Sequence, residues 1–229
     1  MENKIRENQN IIPASIFIAG VIIAGAVVFQ IPSQQPVPVE KTAEPTKGSV
    51  LSIAWGNLSE RLVEAGVIDT DKFPVKDETG LIEITNENAG YILNMLWAFG
   101  LSNKNPVLEE GPMMDPRYGG AENFASTGGW TIAVGSAMDH YSQHKFIVLS
   151  PEQQMVVEKV AKSIYRPCCK NSAYFPDCNH GMAMLGLLEL TASQGASEEE
   201  MRQGALTANS YWFPDYYESA PRKSSACSV

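Results

Sequence analysis

Three of the four cysteines and one of the three histidines in this 229-residue chain fall within one short stretch, "YRPCCKNSAYFPDCNHGMAM", residues 165–184. Cys168, Cys169, Cys178 and His180 are spaced C-C-x8-C-x-H. The last two lie at an expected helix start, with Asp177 or Asn179 as the cap. A helix N-terminus favours anions and so favours a Cys178 thiolate, and His180 offers an imidazole within the same turn. Met184, four residues after His180, shares its helix face. Thiolate and imidazole suit zinc, and an added thioether suits copper.

Three chemistries fit these residues. The leading one is a metal site for copper or zinc that uses Cys168, Cys169, Cys178 and His180, with Met184, His140 and His144 as further candidate ligands. The spacing departs from the usual C-x2-4-C zinc pairs, and adjacent cysteines need a special turn to aim both sulfurs at one ion. The second is thiol–disulfide chemistry with Cys178 as the reactive thiol, although no C-x-x-C is present. The third is a disulfide staple from Cys178 to Cys168 or Cys169, which would close a loop of about ten residues and contribute roughly 2–3 kcal/mol. His140 and His144, in "DHYSQH", are four apart and would share a helix face. That spacing is used in H-E-x-x-H sites, but no Glu follows His140. Cys227 lies in a small, polar tail and is expected to take no part.

"RPCCKNSAYFPDCNHG" resembles the short signature of the PCYCGC-motif bacterial lipoproteins, in which Pro-Cys opens a cysteine cluster and Asp-Cys closes it. The matching residues are Pro167, Cys168, Cys169, Asp177 and Cys178, within a sixteen-residue stretch. The resemblance implies an extracytoplasmic, membrane-attached protein with a metal or thiol role. This chain differs in its adjacent cysteines, in the His after the last Cys, and in having no lipid-bearing cysteine after its apolar segment.

Other chemistry is sparse. No G-x-x-x-x-G-K-[ST], G-x-G-x-x-G or G-x-S-x-G occurs. The net charge of −9 and the lack of any Lys/Arg run exclude a nucleic-acid partner.

The elements that must hold these residues are legible from periodicity. "LSERLVEAG" reads as a helix that buries Leu58, Leu62 and Val63 and stops at Gly66. "ITNENAGYILNMLWAFG" reads as a helix capped by Thr85 or Asn86, with Ile92, Met95, Leu96 and Phe99 as its stripe and Gly100 as its end. Ser150 and Pro151 start a third helix, with Met155, Val156, Val160 and Ile164 inward. "NHGMAMLGLLELTASQG" is an apolar helix ended by Gly195. Ser197 and Glu200 form a capping box for the next. "GWTIAVGSAMDHYSQHKFIVL" reads as a strand passing into a helix, and the Gly/Pro-rich stretch before it as a long ordered loop.

The fold expected is mainly α. A small helical globular domain, residues 50–217, carries a long irregular Gly/Pro-rich insertion and stands behind a single N-terminal transmembrane helix. Residues 11–31 carry no charge and are long enough to span a bilayer. A cleaved signal peptide is the alternative, but the run exceeds a usual h-region and ends in poor cleavage context. Residues 1–10 would be cytoplasmic, because Lys4 and Arg6 flank that end. Residues 32–49 form a Pro-rich linker and 218–229 a flexible tail. The main domain would then be extracytoplasmic, on the cell surface or in the periplasm.

Overall fold

The computed structural model describes residues 52–76, 80–130 and 132–219. The expected anchor and linker lie outside them, as does the expected tail beyond Ser219, including Cys227. Among the described residues, no helix is long and apolar enough to cross a membrane.

The described part is mainly helical. β1 (Ser52–Ala54) leads into α1 (Leu58–Glu64), and β2 (Leu81–Glu83) pairs antiparallel with β1, Ile53 opposite Ile82. This small sheet is absent from the expectation, because three-residue strands carry no readable alternation. α1 buries Leu58 and Leu62, and Gly66 beyond it takes φ +73°, as a helix stop requires.

α2 (Ala89–Ser102) follows. Its cap is Asn88 rather than Thr85 or Asn86, because the Asn88 side chain accepts from the Thr85 amide (2.7 Å) and donates to the Glu83 carbonyl (2.7 Å). The expected stripe is buried, and so are Trp97, Ala98 and Leu101, which makes most of this helix interior.

Between α2 and Ser150 the chain is irregular. α3 (Pro106–Glu109) and α4 (Ala125–Gly128) are single turns. Four 3-10 turns, at Pro112–Met114, Pro116–Tyr118, Ala121–Asn123 and Ala137–Asp139, make up the rest. The expected strand and helix over 129–149 are not formed among its described residues. Gly135 at φ +78° and Ser142 at φ +54° break any regular element there.

α5 (Pro151–Ser163) opens on the expected Ser150 cap, with Gln153 completing a capping box. Val160 and Ile164 are buried as expected, together with Val157 and Ala161, and Val156 packs against the core, whereas Met155 is 63% exposed. α6 (Asn179–Ser193) is buried along nearly its whole length and forms the axis of the domain. α7 (Glu198–Trp212) starts at the expected Ser197/Glu200 capping box, and α8 (Pro214–Ser219) ends the described chain.

α2 packs on α6 more extensively than any other pair of elements. Gly100, expected to end α2, instead lies inside it and faces Gly186 of α6. A Cβ on Gly100 would collide with the Met182 carbonyl, and one on Gly186 with the Leu96 carbonyl. Two glycines let the backbones touch, at the cost of about 1 kcal/mol each in helix propensity. Around the crossing, Leu96, Phe99, Leu185 and Leu188 are each 0% exposed. Each such side chain contributes about 2 kcal/mol by leaving water. The head of α6, where Cys178 and His180 sit, is thereby fixed to the body of the domain.

Candidate metal centre

α5 runs to Ser163, and Ile164 turns the chain into extended conformation. Tyr165 then pairs antiparallel with Ser172, the Ala173 amide donates to Ile164 (2.8 Å), and the Tyr174 amide donates to Ala161 (3.2 Å). Residues 166–171 are closed into a tight loop by hydrogen bonds from Arg166 N to Asn171 O (3.2 Å) and from Lys170 N to Arg166 O (2.9 Å). Lys170 adopts φ +60° to complete it. This is the special turn that adjacent cysteines need, and it presents Cys168 and Cys169 on one side.

Cys178 itself is the N-cap of α6, correcting the expected Asp177 or Asn179. Asp177 is otherwise engaged: one oxygen accepts from Arg166 (2.9 Å) and the other from Asn171 (2.7 Å). Its carbonyl accepts from the Ser126 amide (3.2 Å), which ties the loop to α4.

The sulfurs converge. Cys168 lies 3.7 Å from Cys169 and 3.8 Å from Cys178, and Cys169 lies 4.0 Å from Cys178. An ion with tetrahedral bonds of about 2.3 Å sets its sulfur ligands about 3.8 Å apart. The ligand atoms of Cys168, Cys178 and His180 all lie within 4.8 Å of one another, as do those of Cys169, Asp177 and Cys178. All three cysteines are free thiols. Cys168, Cys169, Cys178 and His180 therefore lie close enough together to hold a metal ion.

The crowding of the sulfurs also shifts their protonation. Burial and the neighbouring Cys178 charge push the Cys168 thiol up to about 12. Burial also raises Cys178, against the Arg166 charge, which favours its thiolate. Cys178 makes no full capping hydrogen bond, although the Gly181 amide beside it also favours the thiolate. Crowded thiols of this kind stay protonated unless a cation lies between them, so ion binding would release protons. A reactive, exchange-competent thiolate would call for lowered pKa values. His180 is held below its ordinary value by burial and by Arg166, which keeps its imidazole neutral and able to coordinate. Its ring rests on Phe213 at 4.4 Å and on Trp212 at 6.0 Å.

Arg166 organises the whole loop and was not among the expected site residues. Its side chain is 0% exposed. The guanidinium donates to Cys178 Sγ (2.9 Å), Asp177 Oδ1 (2.9 Å), and the carbonyls of Asn171 (3.2 Å), Ser172 (3.1 Å) and Phe175 (2.7 Å). Gly181 makes room for it, because a Cβ there would strike Nη1. Two sequence signals mark this pair: a charged residue two positions after the buried Ile164, and a glycine in the first turn of an apolar helix.

The other candidate ligands lie elsewhere. Met184 is fully buried in the hydrophobic core. His140 and His144 do share a contact, but on a turn rather than an α-helix. His140 Nδ1 lies 3.0 Å from His144 Nε2, and His140 Nε2 lies 3.1 Å from the Val134 carbonyl. His144 stacks on Phe146 at 5.1 Å, and its backbone pairs with Asn103 at the end of α2. Neither histidine joins the cysteines in a ligand cluster among the described residues.

The molecule is thus a helical domain with a Cys/His cluster at the head of its central helix. No family model, no curated protein and no solved structure matches the chain.

Proposed function

We propose that the protein binds one soft or borderline transition-metal ion, copper or zinc, through Cys168, Cys169, Cys178 and His180. The domain would be tethered to a membrane by residues 11–31 and would face the extracytoplasmic side. The uncharged N-terminal run and the resemblance to PCYCGC-motif lipoproteins support that placement.

The observation that carries the metal reading is the sulfur triangle of 3.7, 3.8 and 4.0 Å. The protein supplies deprotonated sulfur, a neutral imidazole and a buried guanidinium that balances charge. The bound ion would be held as cargo or passed on. Native mass spectrometry of the full chain, compared with its denatured mass, tests this. One ion per chain is expected, with loss of bound metal in Cys178→Ser. A metal-free wild-type chain that shows a two-proton mass deficit would overturn the reading in favour of a disulfide.

A further inference from the structure

The four candidate ligands are not equivalent. Cys168 is exposed, whereas Cys169 and Cys178 are partly buried. Cys178 is anchored as the cap of α6 and bonded to Arg166 at 2.9 Å. Cys178 also belongs to both ligand clusters, Cys168–Cys178–His180 and Cys169–Asp177–Cys178.

The loop is tied together by its own hydrogen bonds. Arg166 binds three of its carbonyls, Asn171 binds Asp177 at 2.7 Å, and the Tyr165–Ser172 bridge closes its mouth. In structural zinc sites the ion itself supplies that order.

Resting on the metal-binding reading, we infer that the ion is transferable cargo that leaves by ligand exchange, with an incoming thiolate from an acceptor replacing Cys168. In this step the acceptor thiol gives up its proton and forms a sulfur–metal bond. The metal–Cys168 bond breaks, and the Cys168 sulfur takes up a proton. No electrons are transferred. While Cys168 is displaced, Cys169, Cys178 and His180 are placed to keep hold of the ion, so it is never free in water. Cys168 is the exposed ligand, whereas Cys178 is held against Arg166, which is 1% exposed, so an incoming thiolate meets Cys168 first.

The test uses the full-length chain loaded with zinc(II), in a constant excess of nitrilotriacetate to trap released ion. The rate of zinc loss is followed at rising glutathione and, separately, at rising concentration of a peptide with two cysteines. A tenfold rise in thiol is expected to speed release about tenfold, as for direct attack by a thiolate. Response to the peptide but not to glutathione would assign the acceptor as a protein, and response to both would admit small thiols. Cys168→Ser is expected to lose the dependence on thiol, and Ser197→Ala, at the cap of α7, to keep it. Release that is independent of thiol in a chain carrying one zinc overturns the exchange route and leaves metal binding standing. A Cys168→Ser chain that keeps the wild-type dependence also overturns it. Failure of the wild-type chain to bind zinc would overturn both.

Discussion

The two ends of α6 each bury an ionisable side chain, and they treat it in opposite ways. At the head, five acceptors surround the buried Arg166 guanidinium. Toward the tail, Glu189 is 0% exposed and accepts from Asn103 at 2.5 Å, while its second oxygen, Oε1, has no partner. Burial pushes the Glu189 carboxyl up to about 8, so it keeps its proton at neutral pH. Burial wins at Glu189 even against the Asn103 and Asn105 amides, which favour its charged form. Of the two ends, the one with the larger set of partners is the one that holds the cysteines.

The largest test of this contrast removes the guanidinium. Arg166→Met removes one donor from each of Asp177, Cys178 and three carbonyls, and leaves an apolar chain where the guanidinium lay. A loss of about 3 kcal/mol or more is expected in urea unfolding, with weaker metal binding. Gly181→Ala attacks the same end more gently, because the added methyl pushes Arg166 aside. A loss of about 1–3 kcal/mol is expected by the same measurement.

The tail end is probed by pH. Glu189 has an ordinary value of 4.5 and a folded value of about 8, so between these the folded state binds more protons than the unfolded state. Its contribution to stability is therefore full below about pH 4.5 and declines as pH rises toward 8. Urea midpoints measured from pH 5 to 9 should fall in the wild type, and Glu189→Gln should flatten that fall. An unchanged slope in the variant would show that the proton is bound elsewhere. The smallest effect is expected far from either end. Ser197→Ala removes the α7 cap and should cost about 1 kcal/mol at every pH.

What could be read beforehand follows the range of the interactions. Ser150–Pro151 and Ser197–Glu200 announce their helices because a cap acts within one turn. The cysteine and histidine cluster was legible because its members are neighbours in sequence. Gly100 misled because glycine serves equally as a stop and as a gap for another helix, and only Gly186, far along the chain, decides between them. Met155 fits the helical period as well as Val157 does, yet the position of α6 turns it outward. Arg166 carried no local signal of its acceptors, since these are carbonyls placed by the loop it organises. The pairing of His140 with His144 followed from spacing, although the helix assumed for it did not form.

The closed mouth of the cysteine loop separates two kinds of inheritance. Tyr165 and Ser172 face each other across one bridge, so the intervening residues leave and rejoin the scaffold at nearly the same place. Substitutions or length changes within 167–170 need not propagate into α5 or α6. Such a cassette can trade one set of donor atoms for another while the helices beneath it stay as they are. Its tie to the scaffold is the fit of Arg166 against Gly181, and those two positions would have to change together.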